Sequence, residues 1–155
     1  MVSSKQLRRL QARSLKTVYV HDWPLLLDTV LRNQWEKHAS GRGLSCKCIP
    51  KEVIRANELF LDASDGKTLS EKKPLGHIPC GMIVWLVTIV PPTYYDSDTD
   101  TAGIRRIVMV ANDIAFQSGS FAVPEDDVFS AASELARRLR VPFVYISANS
   151  GARLG

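Results

Sequence analysis

Residues 125–155 read EDDVFSAASELARRLRVPFVYISANSGARLG and predict a helix, a strand and a glycine turn in succession. Apolar residues recur at helical spacing and form one stripe, made of Val128, Ala132, Leu135 and Leu139. Negative charge at the start of a helix and positive charge at its end both favour the helix dipole, and this helix has both, in Glu125, Asp126, Asp127, Arg137, Arg138 and Arg140. We therefore interpret the acidic trio as a stabilised helix start rather than a catalytic set of carboxylates.

Buried strands flank this helix in the sequence. Pro142 ends the helix, and FVYISA at 143–148 has the pattern of a buried strand. Upstream, residues 81–90 and 104–111 form two apolar strands joined by a polar, acidic connection, which favours antiparallel pairing. The order strand, strand, helix, strand is typical of repeated ββα units in an α/β domain.

The upstream part of the chain predicts a second helix and a further strand. Thr17–His21 is interpreted as a short strand, after which Asp22 can cap a helix opened by Trp23 and Pro24. One face of this helix is expected to be buried through Leu26, Leu27, Val30, Leu31 and Trp35. Glycines 41 and 43 end the helix, residues 54–61 predict a strand, Asp65-Gly66 a turn, and the residues up to Pro79 a loop.

Length and charge limit the class of protein. The chain has 155 residues, enough for one ordinary domain, and no apolar run reaches the roughly 18 residues of a membrane-spanning helix. Its net charge of +4 is concentrated in residues 1–16, which carry five cationic residues and no acidic one. Because the folded part lacks a basic face with interleaved aromatic residues, we do not expect nucleic-acid binding. The basic segment is either a transit peptide or a solvated lead-in that uses Leu7, Leu10 and Leu15.

No metal site is expected in this segment. Three cysteines are present, and the C-x-C spacing of Cys46 and Cys48 is poor for zinc, so these two and Cys80 are interpreted as reduced thiols. The three histidines are scattered, and none is assigned a catalytic role: His21, His38 and His77. Asp96, Asp98 and Asp100 lack the glycine and distant glutamate of a calcium loop and are interpreted as a solvated loop.

Two loops of small residues each follow a predicted core strand. They are FQSGSF at 116–121 and SANSGA at 147–152. If Ala152 begins a helix, the amides of Ser150 and Gly151 lie at its amino end, where unpaired donors and the dipole stabilise an oxyanion or enolate. The alternative is that both loops are simply turns. A nucleophilic role for Ser120 is disfavoured, because the full G-x-S-x-G motif and a nearby base are lacking.

A family resemblance favours the first interpretation of the loops. TVYVHDWPLLL, GMIVWLVTIVPP, IVMVANDIAFQSGSF and the stretch quoted first occur in this order. Together they resemble the amino-terminal part of the carboxyltransferase domain of multidomain eukaryotic acetyl-CoA carboxylase. The resemblance covers residues 17–155, so the expected division is a basic lead-in at 1–16 and a partial carboxyltransferase domain at 17–155.

The resemblance implies a crotonase-like α/β fold, of which this chain would be an incomplete amino-terminal half. It implies that carboxybiotin gives its carboxyl group to acetyl-CoA to form malonyl-CoA, a step of fatty acid biosynthesis. Biotin would be carried on another domain, and the intact enzyme would work as a homodimer whose partner subunit closes the site. The expected location is cytoplasmic, with a plastid as the alternative. Half of a site is not expected to be active alone, so the 155-residue chain should show no turnover.

The resemblance also implies roles for single residues. The backbone amides of Ser150 and Gly151 would be the catalytic oxyanion donors, and the substrate-binding residues would be Gly119, Ser120, Asn149 and Ala152. Arg153 would brace the second loop by a salt bridge or contact a phosphate. The chain departs from the family at Ala122, where relatives commonly have glycine. Because a residue with a side chain resists positive φ, the first loop is expected to differ in geometry at this position.

Two other functions stay open at this point. One is a different crotonase-like acyl-CoA enzyme, either a hydratase or a carboxylase that acts on a different acyl group. A hydratase would need a catalytic acid or base, typically Glu, and neither loop contains a Glu. The other is a non-catalytic truncated fragment that acts as an association surface, because an incomplete sheet leaves apolar faces and strand edges uncovered.

Overall fold

The computed structural model describes residues 4–44, 49–62, 64–74, 79–96 and 101–153. The helices are α1 (Ser4–Ser14), α2 (Trp23–Gly41) and α3 (Val123–Leu139). The strands are β1 (Ile54–Leu61), β2 (Leu69–Ser70), β3 (Met82–Ile89), β4 (Tyr95–Asp96), β5 (Thr101–Ala102), β6 (Arg105–Asn112) and β7 (Phe143–Ile146). Short 3₁₀ segments lie at Val20–Asp22, Pro92–Tyr94 and Gln117–Gly119.

Five strands form one sheet in the order β2-β1-β3-β6-β7. β3 and β6 pair antiparallel along their whole length, from Met82 opposite Asn112 to Ile89 opposite Arg105, which confirms the pairing expected from the sequence. β7 pairs parallel with β6 after the chain crosses over through α3. The result is a mixed α/β fold with the predicted order of strand, strand, helix and strand.

Alternation along the strands gives the sheet two apolar faces. One face packs against α3, where Val84, Val108 and Val110 contact Val128 and Ala132. This contact confirms the predicted apolar stripe of the helix. The opposite face packs Trp85, Val87 and Met109 against the amino-terminal part of the chain, so the sheet is covered by helical layers on both sides.

The basic amino-terminal segment is helical and contacts the sheet. Ala12 of α1 is fully buried, whereas Leu7, Leu10 and Leu15 are each more than half exposed. Arg8 of α1 lies 3.7 Å from the buried carboxylate of Asp113.

Three local predictions upstream of β3 are wrong. Thr17–His21 is not a strand: Asp22 N–H donates to Tyr19 in a 3₁₀ turn, and Val20 packs on the face of the sheet rather than within it. The face of α2 that packs is also narrower than predicted, because Trp35 is buried while Leu26 and Val30 are 41% and 54% exposed. The stretch before Pro79 contains β2, which pairs with the end of β1.

The predicted turn at Asp65 and Gly66 is present, with Gly66 at φ +62°. The Asp65 carboxylate accepts hydrogen bonds from the Thr68 hydroxyl and from the backbone N–H groups of Thr68 and Lys67. The bond from the Thr68 hydroxyl is the main reason that the pKa of Asp65 is lowered to about 2. Because the folded chain holds this proton less tightly than the unfolded chain, the contribution to stability is present above about pH 4 and is lost as the pH falls towards 2.

Asp65→Asn is expected to remove this part of the acid dependence. The difference in urea midpoint between the wild type and the variant should be present at pH 6 and should shrink as the pH falls from about 4 towards 2, where Asp65 is protonated in the unfolded chain and about half protonated in the folded chain. Thr68→Val is the matched variant, because it removes the main hydrogen bond and keeps the carboxylate. A midpoint difference that does not change between pH 6 and pH 2 would contradict this account.

Several residues named in the sequence analysis lie outside the described residues: Cys46, Cys48, His77, Asp98 and Asp100. Cys80 is a free thiol whose burial raises its pKa, in keeping with the predicted inert cysteine. Among the helices that the structure describes, none is long and apolar enough to cross a bilayer.

Candidate active site

Parallel pairing of β6 and β7 brings two loops to one edge of the sheet, because both strands end there. We call residues 113–122, after β6, the first loop, and residues 147–153, after β7, the second loop. The loops are joined by a parallel bridge between Phe121 and Ala152. Phe121 N–H donates to Gly151 O at 2.9 Å, and Arg153 N–H donates to Phe121 O at 2.7 Å.

The first loop turns sharply through a left-handed segment. Gln117, Ser118 and Gly119 have φ values of +45°, +56° and +70°. For a non-glycine residue this conformation costs about 1–2 kcal/mol, so the turn holds strain that the surrounding structure must offset. Gly119 touches the second loop so closely that a Cβ atom there would lie 2.3 Å from the carbonyl oxygen of Ala148.

The polar groups of Gly119 and Ser120 are engaged within the protein. Gly119 N–H donates to Phe116 O, and Ser120 N–H donates to Gln117 O. The Ser120 hydroxyl accepts a hydrogen bond from Arg153 Nη1 at 2.9 Å. These two backbone amides are therefore engaged within the protein in this arrangement, and the Ser120 side chain holds Arg153. Substrate binding by Gly119 and Ser120 stays a prediction.

Glu125, in the first turn of α3, is fully buried and connects three segments. Its Oε1 accepts the N–H of Gly81 at 2.8 Å, just before β3, and its Oε2 accepts the N–H of Ala122 at 3.0 Å. Arg153 Nη2 lies 3.3 Å from the same Oε2, which confirms the predicted bracing of the second loop by a salt bridge. The sequence indicated a helix start here. A Glu three residues after the N-cap is a capping signal, but nothing local indicates the contacts to Gly81 and Arg153.

A second set of contacts fixes the beginning of the second loop. Asn149 Nδ2 donates to the Tyr145 hydroxyl at 3.0 Å and to Ser147 Oγ at 3.1 Å. The Tyr145 hydroxyl in turn donates to Oδ1 of Asn112, a buried residue at the end of β6. Asn149, predicted to bind substrate, uses its side-chain amide for contacts within the protein.

Ser150 and Gly151 lie between these two tethers and are exposed. Within the described residues, their backbone N–H groups have no hydrogen-bond acceptor. The prediction that Ala152 begins a helix is wrong for the part of the chain that the structure describes. Ala152 is extended in the bridge to Phe121, which uses Gly151 O and Arg153 N–H. Among the described residues, these two neighbouring amides thus have no acceptor, and no described helix begins at them.

Comparison with known proteins gives the family. Residues 101–155, which include both loops, match the Carboxyl transferase domain family. Acetyl-CoA carboxylase of Schizosaccharomyces pombe is 37% identical over 150 residues, covering 97% of this chain and 6% of that protein. Acetyl-CoA carboxylase 2 of Arabidopsis thaliana is 34% identical over 152 residues, covering 96% and 6%. The chain is related to the carboxyl transferase domain of eukaryotic acetyl-CoA carboxylases. This confirms the resemblance found in the sequence.

The chain spans about 6% of the length of these acetyl-CoA carboxylases. Among solved structures, the β subunit of Pseudomonas aeruginosa geranyl-CoA carboxylase covers 97% of this chain and 25% of its own, at 12% identity and a TM-score of 0.43. That score is too low to support an inference. The fold class rests instead on the α/β sheet itself and on the sequence relationship.

The departure from the carboxyl transferase pattern at Ala122 has no structural cost. Ala122 has φ −135° and ψ −173°, an extended conformation open to any residue. Positive φ values occur instead at residues 117–119. The first loop therefore makes its turn before Phe121, so a glycine at position 122 is not required.

One cavity in the described part of the chain lies away from both loops. A cavity of about 580 Å³ lies on the outer side of α3, next to Gly66 and Lys67, and no residue of either loop lines it. Within the described ranges, no group of three or more His, Cys, Asp or Glu residues could hold a metal ion. His21 Nδ1 lies 3.9 Å from Glu58 Oε2, far from the loops in sequence. The Ser150 and Gly151 amides, which have no acceptor among the described residues, are the predicted groups that could bind a ligand oxygen by hydrogen bonding.

Proposed function

We propose that this chain forms part of the carboxyltransferase site of a biotin-dependent acetyl-CoA carboxylase. The amides of Ser150 and Gly151 bind the thioester oxygen of acetyl-CoA. The observation that carries the proposal is the pair of exposed N–H groups between Asn149 and Arg153, which have no acceptor among the residues that the structure describes. Its family context is the relationship to acetyl-CoA carboxylases over almost the whole chain.

Carboxylation at the acetyl methyl carbon requires that carbon to lose a proton, and the resulting negative charge moves to the thioester oxygen as an enolate. Donors aimed at that oxygen act where charge develops, so they stabilise the transition state more than the ground state. Removal of one such donor costs about 10²–10³ in rate in enzymes of this kind. Carboxybiotin would supply the carboxyl group, and the biotin nitrogen freed of it would take up the proton lost by the acetyl methyl carbon, so that malonyl-CoA and biotin would leave. No residue of this chain is assigned to either transfer.

The proposal also covers the parts of the intact enzyme that act together with this chain. Biotin is carried by another domain, and the partner subunit of a homodimer completes the site. The product is malonyl-CoA, used in fatty acid biosynthesis. In this proposal residues 1–16 are a basic lead-in and residues 17–155 are a partial carboxyltransferase domain. The proposed location is the cytoplasm, with a plastid as the alternative. Ala152 helps to set the loop through its bridge to Phe121.

The alternative of an acyl-CoA hydratase is disfavoured by Glu125. It is the carboxylate tied to the second loop, through Arg153, but it is fully buried. Both of its oxygens accept hydrogen bonds from backbone N–H groups, so it is not placed to transfer a proton to or from a substrate. The non-catalytic alternative, a fragment that acts as an association surface, predicts no response to acetyl-CoA at the second loop.

Acetyl-CoA titration of the isotope-labelled chain tests the proposal, with free CoA as the matched ligand because it lacks the thioester carbonyl. The N–H signals of Ser150 and Gly151 should shift with acetyl-CoA and much less with CoA. Ser150→Ala keeps the amide and should leave this difference intact, whereas Ser150→Pro removes one donor and should weaken binding by about tenfold. With carboxybiotin added, the chain alone should still form no malonyl-CoA.

Two results would overturn the proposal. One is an equal response of Ser150 and Gly151 to acetyl-CoA and to CoA, which would mean that the thioester carbonyl is not recognised. The other is an acetyl-CoA-specific shift that survives unchanged in Ser150→Pro while the rest of the spectrum remains folded.

A further inference from the structure

The contacts of Glu125 extend beyond the start of its own helix. Capping of α3 needs only the bond from Ala122 N–H, and the neighbouring Asp126 already places an exposed negative charge in the first turn. The two other contacts of Glu125 reach Gly81 and Arg153, which belong to different segments. Helix capping therefore does not account for the burial of this carboxylate.

Because Glu125 is buried, its contact with Arg153 matters for the stability of the carboxylate in the folded chain. A fully buried carboxylate is costly unless charged or hydrogen-bonding partners compensate for the lost water. Glu125 is 0% exposed, and its one cationic partner in the described part of the chain is Arg153. The carboxylate thus holds one guanidinium nitrogen of Arg153, Nη2, while Ser120 Oγ accepts a hydrogen bond from the other, Nη1.

Arg153 is also fixed through its backbone, because its N–H donates to Phe121 O. On the other side of the amide pair, Asn149 is fixed to the Tyr145 hydroxyl. Ser150 and Gly151 therefore lie between two fixed residues, Asn149 and Arg153. The position of Arg153 depends on the charge of Glu125. The position of the amide pair should respond to that charge although Glu125 is buried away from solvent.

We propose that Glu125 is a positioning residue that fixes the Ser150–Gly151 amide pair through Arg153 and touches no substrate. The positioning is a property of the chain alone, whereas its value for catalysis rests on the proposed function. The two claims can fail separately.

Hydrogen exchange of the chain tests the positioning. Glu125→Gln keeps the size of the side chain and removes its charge, and Asp126→Asn makes the same change at an exposed position one residue away. Loss of a charge-assisted contact should speed exchange of the Phe121 and Arg153 amides by at least about tenfold in Glu125→Gln. Exchange at Val84 and Val110 in the core strands should change much less, and Asp126→Asn should match the wild type at all four amides.

Arg153→Met supplies the second variant. Because Glu125 and Arg153 share one contact and each has others, the double variant Glu125→Gln/Arg153→Met should speed exchange at Phe121 by clearly less than the product of the two single effects. Additive effects would overturn the proposed connection. So would an unchanged or uniformly faster exchange in Glu125→Gln.

Acetyl-CoA titration of the same variants separates the two claims. Glu125→Gln should reduce the acetyl-CoA-specific shift of Gly151, and Asp126→Asn should retain it. If exchange behaves as expected but the wild type shows no acetyl-CoA-specific shift, the proposed function fails and the positioning stands. If the wild type shows that shift and Glu125→Gln leaves both the shift and the exchange unchanged, the positioning fails and the function stands.

Discussion

Gly119→Ala is expected to destabilise the chain by about 3 kcal/mol or more, through backbone strain and overpacking together. The new Cβ atom would lie 2.3 Å from the carbonyl oxygen of Ala148, and a backbone atom cannot move aside as a flexible side chain can. The residue would also have to keep φ near +70°. The two loops should separate, so the Phe121–Ala152 bridge should weaken as well.

Gly66→Ala is the matched control, because Gly66 has nearly the same φ of +62° but nothing within 4 Å of an added Cβ atom. It should cost only the left-handed strain, about 1–2 kcal/mol. Urea unfolding of both variants measures the difference directly. Equal losses of stability would show that the close approach of Gly119 to Ala148 is not a constraint.

Trp35→Ala is expected to destabilise the chain by about 3–5 kcal/mol, the usual cost of removing a buried aromatic side chain. Trp35 is fully buried, and its Nε1–H donates to the carbonyl of Val90 at 2.7 Å, joining α2 to the segment after β3. Trp35→Phe keeps much of the packing but leaves that carbonyl without its indole donor, so it should cost about 1–3 kcal/mol.

Val30→Ala separates packing from helix propensity, because Val30 lies on the same helix with its side chain more than half exposed. Its effect should stay within about 0.5 kcal/mol of zero. Thermal or urea unfolding followed by circular dichroism reports all three variants. A loss from Val30→Ala as large as that from Trp35→Ala would contradict the narrow packing face that the structure gives α2.

The central elements were predictable because their signals are local and strong. β3 and β6 are apolar runs separated by a polar connection, and α3 has an apolar stripe with charges placed to suit its dipole. The antiparallel pairing of β3 with β6 was expected from the polar connection between them. The parallel pairing of β7 with β6 was not predicted, and it accompanies the helical crossover through α3. Arg153 was also correctly expected to form a salt bridge.

The errors all depend on contacts between distant residues. Tyr19 and Val20 have side chains typical of a strand, but they pack on one face of the sheet and do not extend it. The strands at the two edges are β2 and β7. Ala152 is extended because Phe121 offers it a backbone partner, and the sequence around Ala152 contains no sign of that. Glu125 was recognised as a helix start, whereas its burial depends on Gly81 and Arg153. Local periodicity does not reveal such contacts.

The left-handed turn at residues 117–119 has a consequence for the order of folding. Two of its three residues are not glycine, so a free peptide of this sequence would leave the conformation for lower-energy ones. The turn reaches its native packing only once Ala148 lies against Gly119, which requires β7 to have docked beside β6. The candidate site should therefore be among the last regions to become native during refolding, after the sheet has assembled.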